Sequence, residues 1–134
     1  MVTLPPVDTF YYLATVYTQH PDGLDVAHMD ACKAAAQLMA AGVPVFCPIA
    51  HSHHVAAHGE LDPLDHDLWM EADRPLMDAA GGLIVVKIPG WETSRGIAYE
   101  RRAFEGRPII FAEWEVETRT LRFGGEEQIC SGES

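Results

Sequence analysis

Short apolar runs and longer amphipathic stretches alternate along this chain, separated by segments rich in Gly, Pro, Asp and Ser. Residues 10–15 (FYYLAT) are apolar and aromatic without alternation, the mark of a strand covered on both faces. A turn signal, QHPDG, follows. Residues 24–41 then place Ala27, Ala31, Ala34, Ala35 and Leu38 on one helical stripe, with Gly42 where a C-terminal glycine cap belongs. Residues 43–47 (VPVFC) predict a second strand, ended by Pro48. Residues 49–62, which contain HSHHVAAH, read as a loop. A helix is predicted over 65–80, with Leu68, Trp69, Leu76 and Met77 as its apolar contacts and Pro75 as a kink or the start of a second helix. Gly81-Gly82 breaks the chain, and residues 83–88 (LIVVKI) form the clearest strand. PGWETS is a loop. Thr93 or Ser94 caps a helix running to about residue 105, and Gly106 closes it. Residues 108–112 (PIIFA) predict a fourth strand. Residues 115–123 alternate like an exposed edge strand, and 124–134 read as a flexible acidic tail.

Strands alternating with helices predict an α/β fold: three layers, doubly wound in the Rossmann-like or flavodoxin-like manner, around a short, mainly parallel sheet of four to five strands. The expected organisation is one domain over 1–134 with its core at about 10–123. In such sheets ligands bind beyond the carboxyl ends of the strands. The loops after Thr15, Cys47 and Ile88 are therefore the ones to inspect.

Composition narrows the function. The formal net charge is -11, against the basic face that nucleic-acid binding needs. The asymmetry is strong: residues 1–73 hold one basic and ten acidic side chains, whereas residues 74–134 hold eight and ten. Any anion-binding chemistry is thus expected in the second half. No apolar run reaches membrane-spanning length and the N-terminus lacks a signal-peptide pattern, so a cytoplasmic protein with neither nucleic-acid nor membrane partners is expected. Cys32, Cys47 and Cys130 form no CxxC pair and are read as reduced thiols.

Three groups of residues carry candidate chemistry. In GWETSRGIAYE, Ser94 and Gly96 fall in the first turn of a helix after a buried strand, where free backbone N–H groups meet anions. Glu100 lies one turn further, at the edge of an apolar stripe that aims it toward the sheet. Asp73, with Asp67 and Glu71 nearby, offers a second carboxylate for acid/base work. The histidines His51, His53, His54 and His58 form a tract without a complete zinc-ligand pattern, so no metal is expected, and a polar pocket wall with one histidine on the ligand is preferred. Tyr12, Thr15 and Tyr17 stand at the end of the first strand, and Tyr17 and Trp91 are placed to stack on a planar ring. No GxGxxG or GxxxxGK[ST] is present, which excludes the dinucleotide and P-loop readings. No cofactor is expected.

YLATVY, AAGVPVFCPIAHSHH, W-x3-D-x4-D (Trp69, Asp73, Asp78) and LIVV-x3-GW-x2-S-x-G-x3-E together resemble the DUF1937 family. That family is similar in fold to nucleoside 2-deoxyribosyltransferases and deoxynucleoside monophosphate N-glycosidases. The resemblance implies Glu100 as a nucleophile at the anomeric carbon, Asp73 as the group assisting the departing base or water, and Tyr12 as a strand-end tyrosine beside the nucleophile. It implies Ser94 and Gly96 as holders of a 5′-phosphate or hydroxyl, and a homodimer or homotetramer. Ala14-Thr15-Val16-Tyr17 replaces the Gly-Ser-Ile-Arg type of loop, and Gly81 stands where relatives often carry an acid. The function expected is N-glycosidic bond cleavage or transfer on a nucleoside or nucleotide. The rivals are a non-catalytic nucleoside or nucleotide binder on the same fold and a metal-dependent hydrolase using the His51–His54 segment.

Overall fold

The computed structural model describes residues 4–123 and the backbone of Glu127–Ile129. In chain order the elements are β1 (Tyr11–Ala14), α1 (Leu24–Ala40), β2 (Val45–Phe46), α2 (Pro48–Gly59), α3 (His66–Ala79), β3 (Gly82–Val86), a 3-10 turn (Trp91–Thr93), α4 (Arg95–Ala103), β4 (Ile109–Glu115), β5 (Thr120–Phe123) and β6 (Glu127–Ile129). They build one sheet in the order β2-β1-β3-β4-β5-β6. The first four strands are parallel, and β5 and β6 join antiparallel. This is the doubly wound, flavodoxin-like order, with its direction reversing between β1 and β3. The sheet has six strands, where the sequence predicts four to five.

Right-handed crossovers force the layering. The step from β1 to β2 runs one way along the sheet, and the steps to β3 and β4 run the other. Hence α1 covers one face, beside α2, β2 and β5, while α3 and α4 touch each other on the opposite face. With helices on both sides, β1 and β3 are buried at every position, which is why their sequences do not alternate.

Three predicted elements need correction. Residues 49–62 are not a loop: Pro48 is the first residue of α2, where a missing N–H breaks no helical bond and a fixed φ favours entry. Glu60, at φ +59°, then ends the helix. Pro75 neither ends α3 nor starts another helix; it sits inside one continuous element, and Asp65 caps its start by accepting from the Leu68 N–H at 3.2 Å. Leu68 itself is exposed rather than packed. Residues 115–123 are not an exposed edge strand. β4 runs on to Glu115, the chain turns, and β5 returns with Leu121 and Phe123 buried. The expected flexible tail at 124–134 lies outside the described residues apart from Glu127–Ile129, which form β6, and Cys130 lies outside them too.

Two long-range ties fix the loops at the carboxyl end of the sheet. Gly90 adopts φ +99°, and a Cβ there would lie 2.3 Å from the Gln19 carbonyl oxygen. The loops after β1 and β3 therefore meet backbone to backbone, at a place only glycine permits. On the α1 face, buried Asp30 lies 2.8 Å from His20 Nε2 and also pairs with Arg119 from the β4–β5 turn. The Asp22 N–H donates to His20 Nδ1, so the hydrogen of this imidazole sits on Nε2, toward Asp30. Gln37 completes the tie. Its amide donates to the Arg119 carbonyl and accepts from the Leu121 N–H, both at 2.8 Å.

Candidate functional site

Helical spacing brings two acids inward. On α3, Asp73 shares a face with Trp69, Met70 and Met77. On α4, Glu100 follows Ile97 and Gly96 at one turn. α3 and α4 pack together, so the two carboxyls converge beneath a cavity of about 240 Å³. Its walls come from the loop after β1 (Thr15, Tyr17, Thr18, Gln19), from α2 (Pro48, Ile49, Ser52), from the approach to α3 and α3 itself, and from the start of α4. The cavity lies where the strand order reverses, as the topology dictates.

Glu100 is 5% exposed and Asp73 6%. Burial pushes the Glu100 carboxyl up to about 8, and the charge of Asp73 adds to the rise. Burial likewise pushes Asp73 up to about 6, while His51 and the Tyr12 hydroxyl pull it down. Both carboxyls are thus held above their ordinary values, and near neutral pH the two titrate as a coupled pair. Tyr12 stands below both acids between Phe46 and Phe104, with ring centroids at 6.2 and 5.7 Å. Burial raises its pKa, and the charges of Glu100 and Asp73 raise it further. Its hydroxyl faces both carboxyls yet makes no well-formed hydrogen bond among the described residues, and the Thr15 hydroxyl is likewise unpaired. A buried Thr15 hydroxyl without a partner, and a Tyr12 hydroxyl that bears on both acids without a well-formed bond, are costly unless a ligand or water completes them.

Ser94 caps α4 by accepting from the Ile97 N–H at 3.2 Å. A Cβ on Gly96 would meet only Ser94 Oγ, at 3.9 Å, so the glycine keeps this wall open. Arg95, at the first position of α4, brings a cation to the mouth of the cavity.

The structure thus gathers Glu100, Asp73, Thr15, Tyr17, Ser94 and Gly96 around one cavity, with Tyr12 directly beneath. It does not bring Trp91 there. The 3-10 turn lays that ring on Phe111, at 5.8 Å, under Lys87 Nζ. His51, which is exposed, and His53, which is half-buried, do not line the cavity either. His51 lies against Phe46 and bears on Asp73 through its charge, and His53 reaches Tyr17. Asp67 and Glu71 are exposed, and Glu71 pairs with Arg74 at 2.9 Å. The residues that sequence reasoning missed are Ser52, His66, Trp69 and Arg95. Trp69, four residues before Asp73 on one helical face, is the tryptophan that lines the cavity.

Burial raises the Cys47 thiol to about 12 and also raises that of Cys32. Both are free thiols, and burial disfavours the thiolate of each. Among the described residues, no group of three or more His, Cys, Asp or Glu side chains is placed to hold a metal, and no helix is long and apolar enough to cross a membrane.

None of the curated proteins matches the chain. Residues 9–116, from the entry to β1 through the end of β4, match a family described as a domain of unknown function, DUF1937. That match takes in every residue of the cavity and most of the sequence, and the chain belongs to the DUF1937 family.

Proposed function

We propose that the protein cleaves, or transfers the sugar of, an N-glycosidic bond in a nucleoside or nucleotide. One observation carries this reading: two buried carboxyls on adjacent, mutually packed helices face one small cavity, where burial raises both above their ordinary values. Departure of a base leaves positive charge on the sugar, and a carboxylate at the anomeric carbon stabilises or traps it. Glu100 is that carboxylate, and Asp73 is the acid and later the base. The reactive arrangement has the pair's proton on Asp73 and Glu100 ionised, with the Tyr12 hydroxyl facing both groups. Asp73 protonates the base as Glu100 bonds to the sugar. Asp73 then takes a proton from the water or acceptor hydroxyl that releases the sugar. Trp69 supplies a flat surface for the base, and Ser94, Gly96 and Arg95 face the other end of the ligand.

A binding-only reading has one observation in its favour: a Glu100 that keeps its proton at neutral pH donates to a sugar hydroxyl and attacks nothing. Incubation with ribo- and deoxyribonucleosides and their 5′-monophosphates, with free base read by chromatography, separates the two. Base release that is lost in Glu100→Ala supports the glycosidic reading. Binding without release across the whole set leaves the binder.

A further inference from the structure

Tyr17 belongs to the cavity wall, and its hydroxyl lies 2.7 Å from Nδ1 of His53 on α2. Across the same imidazole, Nε2 lies 3.3 Å from an Asp25 carboxylate oxygen at the start of α1. The Asp25 side chain is 98% exposed and that of His53 17%. A chain of three polar groups thus runs from solvent through a mostly covered imidazole to a residue of the cavity wall. His28 stacks on the His53 ring at 4.3 Å, and His54 stands edge-on at 5.9 Å. Tyr17, Asp25, His28 and His54 are the titratable or charged groups that face His53 from the elements packed against it.

A phenol has one hydrogen to give. When His53 is neutral, the Asp25 carboxylate favours the ring hydrogen on Nε2. Nδ1 then carries a lone pair, and Tyr17 donates to it. Toward the cavity Tyr17 presents only lone pairs. When His53 is protonated, Nδ1–H donates to the Tyr17 oxygen, and the hydroxyl hydrogen is free to point at the ligand. We propose that His53 sets the hydrogen-bonding polarity of Tyr17, making it an acceptor toward the ligand when His53 is neutral and a donor when His53 is charged. Tyr17 is then a specificity determinant, and His53 and Asp25 are its positioning residues. The choice of ligand class rests on the glycosidic reading: nucleobase edges carry donor amines and acceptor carbonyls, which these two states would sort. The surroundings fit. Burial, with the charge of Asp25, raises the Tyr17 pKa, so the phenol keeps its hydrogen. Burial and the neighbouring imidazoles lower that of His28, which disfavours charge on the stacked ring.

The test needs no turnover. In protein labelled with 15N in its histidines, His53 is expected to show the Nε2–H tautomer at alkaline pH, with Nδ1 shifted by an accepted hydrogen bond. Tyr17→Phe should return Nδ1 to the value of a free acceptor, and Asp25→Asn should weaken the tautomer preference. An Nδ1–H tautomer, or His53 signals indifferent to Tyr17→Phe, overturns the proposal. A second arm measures binding of 2′-deoxyinosine and 2′-deoxyadenosine across about pH 5 to 8, the histidine range. One hydrogen bond gained or lost is about tenfold in Kd. The wild-type ratio of the two affinities should change by about that factor across the range, and Tyr17→Phe and His53→Gln should hold it within about twofold. The same change in Tyr17→Phe as in the wild type overturns the proposal. Binding of neither nucleoside counts against the glycosidic reading, and the nitrogen spectra still decide the coupling of His53 to Tyr17.

Discussion

Replacing Glu100 by Gln should make the protein more stable at neutral pH while ending its chemistry. The native carboxyl sits at about 8, above its ordinary 4.5. The folded state therefore binds this proton more tightly than the unfolded chain. Stability from the group is fully present below pH 4.5 and is lost as pH rises through 8. Each tenfold change in proton affinity is worth about 1.4 kcal/mol, so the loss between pH 4.5 and 7 is about 3 kcal/mol. Glutamine keeps the shape of the side chain and never ionises. Whatever constant the buried amide adds, the stability gap between variant and wild type should grow by about 3 kcal/mol over that interval. For a domain of this size that is roughly 10 °C in Tm. Thermal unfolding by circular dichroism at pH 4.5, 6, 7 and 8 reads it directly. The wild-type curve should fall throughout. In Glu100→Gln the decline above pH 6 should vanish, leaving the part due to Asp73, whose carboxyl titrates at about 6. Parallel Tm curves for the two proteins would refute the claim that Glu100 is held neutral by burial, and with it the coupled pair.

Tyr12→Phe should leave stability unchanged or raise it by up to about 1 kcal/mol, because the hydroxyl makes no well-formed hydrogen bond. It should also move the pH profile of base release upward, since that hydroxyl lowers both carboxyls; an unmoved profile detaches Tyr12 from the pair. Gly90→Ala should cost about 2 kcal/mol or more in urea unfolding, from positive φ and a Cβ driven against the Gln19 carbonyl; a neutral result would mean that the two loops do not touch. Asp30→Ala strands His20 and Arg119 together and should cost about 3 kcal/mol by the same measurement, whereas a surface ion pair would cost under about 1.

The central sheet was legible because its strands are covered on both sides: FYYLAT and LIVVKI announce themselves by lacking alternation. The acids of the site were legible for a related reason. Glu100 and Asp73 sit at helical spacing from apolar neighbours, and such spacing dictates which way a side chain points. What failed was local punctuation. Pro48 reads as a strand terminator, yet at the first position of a helix it is a start signal, and the two uses look alike without the fold. Reading α2 as a loop hid the direction of His53, and with it the contact to Tyr17. The β4–β5 turn escaped because its left-handed residue is Arg119, with no Gly, Asn or Pro to mark it. Trp91 was misjudged because a glycine-bounded loop gives no hint that its first turn coils back over Phe111.

The amide of Gln37 grips the backbone of residues 82 and 84 positions further along the chain. This separation gives the molecule an order of assembly. The four parallel strands can pair once β4 exists, but Asp30 and Gln37 on α1 then still lack Arg119 and Leu121. Closing α1 over the sheet before the hairpin arrives would bury a charge and an amide with nothing to bind. During synthesis this face must stay loosely held until the second arm of the hairpin emerges, and its docking becomes a late, long-range event. The same polar lock that makes the native arrangement specific thus withholds completion until all of residues 9–116, the family match, and the turn beyond it have been made.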